Sequence, residues 1–161
     1  MKSAMKPTGG NSRAHGNGDG GYLCAIDMFD LNIRKTEPRD VADLSGKVPE
    51  DELKIVAASW ASGTFSFTEN NEAIGILGMS LSDGGVGTIW LVISDELRAH
   101  KYFLHRQMKQ IIAGILNDAK INRLDALVKI EDGRACEWWK RLGFIRGNEV
   151  LDGYVIYSVE A

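Results

Sequence analysis

Arg98, His100 and Lys101 fall together at the start of the longest apolar-periodic stretch in the chain, with Ala99 between them. A helix start presents unpaired backbone N–H groups and the positive end of the helix dipole. Basic side chains there oppose the dipole, which favours an anion as partner; a solvated basic first turn is the plainer reading. Three carboxylates, Glu69, Asp95 and Glu96, lie where strands are expected to end. Each is either a base for proton transfer or a turn or cap residue, and Asp95 is placed to cap the long helix. Trp139 sits on the apolar stripe of a later helix. Its indole N–H donates a hydrogen bond but is no proton source at neutral pH, so the residue orients a ligand or fills the core. Cys136 lies beside that stripe without an obvious histidine partner and reads as a buried structural thiol. His100 and His105 are five positions apart and face differently on a helix, which argues against a metal site.

The elements that must position these residues belong to a chain of 161 residues, the length of one ordinary domain. A formal charge of −3, with both signs spread along the chain, gives no basic stripe for nucleic acid. No apolar run reaches the length of a membrane span, and the lysines at the N-terminus precede no apolar signal segment. Cys24 and Cys136 are read as free thiols in a reducing compartment, so the expected location is the cytoplasm. Thr8 to Gly21 is glycine-rich with nothing apolar larger than alanine, which cannot offset its ordering entropy. Residues 1–29 are therefore expected as a disordered tail and 30–161 as the folded domain.

Within the domain, Leu31 to Arg34 alternates as a strand. Thr36 is expected to cap a short helix with Pro38 in its first turn and Val41 and Leu44 facing inward. Leu53, Val56, Ala57 and Trp60 form the stripe of a second helix that Gly63 stops. Three strands follow: Thr64–Thr68, Ala73–Leu81 and Thr88–Ile93, with a loop from Ser82 to Gly87. The last of the three reads TIWLVI, a continuous apolar run suited to a central strand covered on both faces. A single helix is expected from Arg98 to about Lys120, its stripe running from Leu104 through Met108, Ile111, Ile112, Ile115 and Leu116 to Ala119. Leu124–Ile130 is a further strand. Asp132 caps a helix carrying Ala135, Trp138, Trp139 and Leu142, which Gly143 ends. Phe144 to Arg146 opens another strand, Asp152-Gly153 signals a hairpin, and Tyr154–Val159 closes the chain. The order β-α-α-β-β-β-α-β-α-β-β implies an α/β (α+β) domain: a mixed, mostly antiparallel sheet with helices on both faces.

This order resembles the GCN5-related N-acetyltransferase (GNAT) superfamily over Asn32 to Glu160. Three features carry the resemblance. Ile33-Arg34 with Asp40 looks like the family's first strand and first helix. TIWLVI feeding a long helix looks like its central strand and cofactor-binding helix. Ala135-x-x-Trp138-Trp139-Lys140-Arg141-Leu142-Gly143-Phe144 looks like its late helix before Gly-Phe. The ending Val92-Ile93-Ser94-Asp95, followed by a basic helix without glycines, is also similar to a GNAT-like family of internal virion or head-morphogenesis proteins of short-tailed lytic phages.

The resemblance implies an acyl-CoA donor such as acetyl-CoA and an amine acceptor. Val92, Ile93 and Ser94 would offer backbone hydrogen bonds to the pantetheine arm, and Arg98, Ala99, His100 and Lys101 would lie at the pyrophosphate. Glu69 and Asp95 are candidates for the base, and Trp139 takes the place of the family's general-acid tyrosine, for which Tyr102, Tyr154 or Tyr157 would have to substitute. Two departures stand out. The phosphate loop contains no glycine, Lys101 and Phe103 falling where small residues are expected, and the tyrosine is absent. Two functions follow: an acyl-CoA-dependent N-acyltransferase with a degenerate loop, or a non-enzymatic phage virion or assembly protein that offers the fold, with aromatic surface around Trp138, to a protein partner in host cytoplasm or virion.

Overall fold

The computed structural model describes residues 31–59, 63–118 and 120–161. The expected tail at 1–29, Cys24, Trp60 and Ala119 lie outside the described residues. The elements are β1 (Leu31–Lys35), α1 (Pro38–Leu44), α2 (Glu50–Ser59), β2 (Thr64–Glu69), β3 (Glu72–Ser82), β4 (Val86–Ile93), α3 (Asp95–Ala99), α4 (Lys101–Leu116), β5 (Arg123–Lys129), α5 (Gly133–Arg141), β6 (Ile145–Leu151) and β7 (Tyr154–Glu160). They form one seven-stranded sheet in the order β1-β2-β3-β4-β5-β7-β6. Every pairing is antiparallel except β4 with β5. The expected mixed, mostly antiparallel sheet is what forms.

The period-two pattern of the strands divides the core. On one face Phe67, Leu77, Ile89, Leu124, Ala126 and Tyr157 pack with Leu97 of α3, Leu104, Met108 and Ile112 of α4, and Trp139 of α5. On the other, Ala73, Ile76 and Val92 pack with Leu44 of α1 and Val56 of α2. Helices therefore cover both faces. None of the described helices is long and apolar enough to cross a membrane.

Several boundaries differ from expectation, each for a local reason. The expected long helix is two. α3 begins at Asp95 and ends at Ala99, and His100, at φ −90° and ψ 37°, breaks the run before α4. The cap is Ser94 rather than Asp95: the Ser94 hydroxyl accepts from the Leu97 N–H at 3.4 Å. Thr36 does not cap α1. Glu37 holds that position, Asp40 accepts the Glu37 N–H at 2.8 Å, and Thr36 is buried beside Ser66. Ala57 is exposed, leaving Val56 and Leu53 to seat α2. The expected loop from Ser82 to Gly87 shrinks to a turn at residues 83–85: Ser82 pairs with Val86 and Leu81 with Gly87 as strand residues, and Gly84 and Gly85 adopt φ of 100° and 78° between them. The Asp152-Gly153 hairpin forms as read, both residues at positive φ.

Candidate functional site

The sheet splits once. β4 and β5 pair only from Val86↔Arg123 to Ile89↔Ala126. Beyond those four pairs β4 stays bonded to β3 and β5 to β7, so Trp90–Ile93 and Leu127–Lys129 share no ladder. The split opens toward the C-terminal ends of both strands, where α3 begins.

The alternation of the β3–β4 ladder determines which groups line this wedge. Ser94 N–H donates to Ile74 O, directly opposite it, so Val92 and Trp90, two and four residues earlier, also direct their peptide groups to β3. The N–H and C=O of Leu91 and Ile93 then point toward β5, where no strand receives them. Of the three residues expected to offer backbone bonds, Ile93 faces the wedge, while Val92 and Ser94 are bound to β3. Leu91 joins Ile93; the ladder phase that selects it has no local mark in the sequence.

At the mouth, Arg98 is exposed and 3.9 Å from the fully exposed Asp95. Lys101 projects outward, its Nζ 5.2 Å from the Tyr102 ring centroid, and Tyr102 is 82 % exposed. Phe103 turns inward and packs against the main core, so its bulk is directed away from solvent. His100 sits at the junction of α3 and α4 with Nε2 3.1 Å from Glu69 Oε1. Glu69 is thereby tied to the helix junction at the end of β2, two strands away from the wedge. Glu96 is held below the usual carboxylate range by the Ser94 hydroxyl.

Trp139 is a core residue, 5 % exposed, in edge-to-face contact with Trp138 and Phe144 at centroid distances of 5.3 and 4.8 Å. Trp138 is half-buried, edge-to-face on Trp139 and packed against the main core, so the aromatic surface expected around it is partly consumed by packing. Among the tyrosines, Tyr157 is buried in the core; burial, then its hydrogen bond with Cys136, pushes its hydroxyl up. Tyr154 is half-buried and lies opposite Lys129 in the β5–β7 ladder, at the far lip of the wedge.

The far lip also carries residues that the sequence reading passed over. Lys129, the last residue of β5, donates from Nζ to Asp51 Oδ2 at 3.0 Å and lies 3.9 Å from Glu52 Oε1. Both carboxylates belong to the first turn of α2. Burial pushes the Glu52 carboxyl up, and neighbouring Asp51 and Asp132 add to that, while Lys129 and Arg98 oppose it. A desolvated carboxyl with a raised pKa is a recurrent feature of proton-transfer sites. The acid run after Pro49 was its only sequence signal, and such runs usually complement a helix dipole. Trp90 leans onto Gly78, where a Cβ would run into its ring, and its Nε1 is buried without a partner.

No protein-family model and no curated protein matches the sequence. Solved structures do match. The GNAT domain of the S. lividans PAT superposes with a TM-score of 0.66 at 14% identity, over 90% of this chain and 100% of that one. A ribosomal alpha-N-protein acetyltransferase in complex with coenzyme A gives 0.63 at 11% identity, covering 86% and 97%. An aminoglycoside acetyltransferase in complex with coenzyme A gives 0.61 at 16%, covering 81% and 94%. At these identities the likeness establishes the fold.

Proposed function

We propose that the protein is an acyl-CoA-dependent N-acyltransferase whose donor lies in the β4–β5 wedge. The observation that carries this reading is the split itself, with the peptide groups of Leu91 and Ile93 turned into it. An extended chain bearing amides, such as a pantetheine arm, fits groups that would otherwise complete a strand ladder. Matching structures with coenzyme A bound support the same reading. The phosphate end falls at Arg98, Ala99, His100 and Lys101. There the grip is by charge, since the loop lacks the glycines that permit close backbone approach.

Bound acyl-CoA supplies an activated thioester. The chain's part is to bring an amine to it in neutral form. Glu52, half-buried at the wedge with its carboxyl pushed up by burial, accepts the amine's proton on its carboxylate. Glu69 and Asp95, the earlier candidates, serve the helix junction and the exposed first turn of α3. Trp139, enclosed by Trp138 and Phe144, packs the late helix. Tyr154 is the hydroxyl at the lip from which a leaving thiolate takes its proton.

The test is release of free thiol from acetyl-CoA in the presence of spermidine, an aminoglycoside and a peptide α-amine, substrate classes suggested by matching acetyltransferases. Amine-dependent release, lowered at least tenfold by Glu52→Gln, is expected. Release no faster than donor hydrolysis with any amine contradicts the reading.

A second reading, the non-enzymatic virion or assembly role, has one observation in its favour. Leu127, Ile145 and Leu151 share the sheet face that α1 and α2 cover elsewhere, yet all three are exposed, Ile145 by 76 %. A protein partner seated on that face would bury them.

A further inference from the structure

α2 is anchored to one side of the split: Val56 is fully buried with Ala73 and Ile76 of β3 and Val92 of β4. Lys129 belongs to the other side. Its backbone is held there by pairing with Tyr154 and by the Cys136 thiol, which donates to Lys129 O at 3.7 Å. The contact of Lys129 Nζ with Asp51, and more distantly with Glu52, therefore runs from one lip of the wedge to the other, across the stretch where β4 and β5 have parted.

We propose that Lys129 and the Asp51–Glu52 pair form a strap across the wedge that must unlatch before a pantetheine arm can lie between β4 and β5. This rests on the acyltransferase reading and adds a control on donor entry. The strap is made of parts that open readily. Asp51 is largely exposed and Lys129 about one-third exposed, and ion pairs in such settings contribute little net stability. With the Lys129 backbone held on both sides, unlatching needs only rotation of its side chain. Donor affinity is then scaled by the fraction of molecules with the strap open. Salt weakens exposed pairs, so the open fraction rises with ionic strength.

The sign of that dependence separates a strap from an ordinary cationic contact. Coenzyme A is polyanionic, and attraction to Lys129, Arg98 and Lys101 would weaken with salt. A neutral probe, S-acetylpantetheine, removes this competing effect. Its dissociation constant is measured by titration of the full chain and of Lys129→Met, at low and high salt, with acetyl-CoA titrated in parallel. The strap predicts probe binding that is tighter by about threefold in Lys129→Met, the scale set by weak surface pairs. It also predicts probe binding that tightens with salt in the wild type and is indifferent to salt in the variant. Equal probe affinity in both proteins, independent of salt, while acetyl-CoA binds, overturns the strap and leaves the acyltransferase reading intact. Failure of acetyl-CoA to bind either protein at millimolar concentration overturns that reading, and the strap's role with it.

Discussion

Two ion pairs, one at the β1 edge of the sheet and one at the wedge in its interior, use the same chemistry to different ends. At the corner of β1, α1 and β2, Arg34 grips Asp40 with both terminal nitrogens, at 2.9 and 2.6 Å, and the carboxylate is wholly buried. The Ser66 hydroxyl and the Glu37 N–H complete its shell at 2.7 and 2.8 Å. At the wedge, Lys129 meets Asp51 at 3.0 Å in the open. Burial alone would push Asp40 up, but the bonds from Arg34, Glu37 and Ser66 outweigh it and hold the carboxyl below its usual range. Asp51 is also lowered, by the hydrogen bond from Lys129, in a setting where water competes for every bond. A pair whose partners have no alternative fixes a corner of the fold, whereas a pair whose partners can return to water is suited to opening.

The sharpest way to break this contrast is Arg34→Met. It leaves Asp40 buried without its cation and is expected to cost about 3–5 kcal/mol in urea unfolding, the usual consequence of removing one member of a buried pair. A loss below about 1 kcal/mol would place the Asp40 corner in the same class as the wedge. Next in size is Gly78→Ala. The new methyl must displace the Trp90 ring, and about 1–3 kcal/mol of overpacking is expected, with a change in tryptophan fluorescence. Asp132→Ala, which removes the acceptor for the Ala135 N–H at 2.9 Å, should cost about 1 kcal/mol as a lost helix cap. Smallest is Lys129→Met, for which no measurable change of the urea midpoint is expected. A large change would make the wedge pair structural.

Acid titration sharpens the same contrast. Because the folded pKa of Asp40 is depressed, its stabilising contribution is complete above the unfolded carboxylate value of about 3.9. It is lost as the pH falls through the lower folded value. Unfolding monitored by circular dichroism should therefore steepen below about pH 4 in the wild type. Asp40→Asn, less stable at neutral pH, should lack this component.

What the residues alone disclosed follows the range of the forces involved. Asp152-Gly153, Asp132 as a cap and Gly143 at φ 99° were readable because each answers a local backbone demand. The α3–α4 break was not, since the apolar period that organises α4 begins only at Leu104 and nothing at His100 forbids a helix. Ser94 and Asp95 are adjacent residues of similar capping power, and tertiary position chose between them. The wedge was out of reach for a different reason. It depends on where a parallel pairing stops, and its strap joins residues 78 positions apart. Leu91 could not be told from Val92 without the ladder's phase, and Glu52 drew its raised pKa from a burial that no neighbouring residue announces.

Whether the split between β4 and β5 receives an acyl-CoA is decided by calorimetric titration of the full chain with acetyl-CoA and with free CoA. One site with a dissociation constant near micromolar, about −8 kcal/mol, is expected, with thermal stabilisation that grows with ligand concentration. No heat and no shift of the unfolding temperature at millimolar ligand would contradict it, and would leave the exposed face of Leu127, Ile145 and Leu151 as the place to look for a partner.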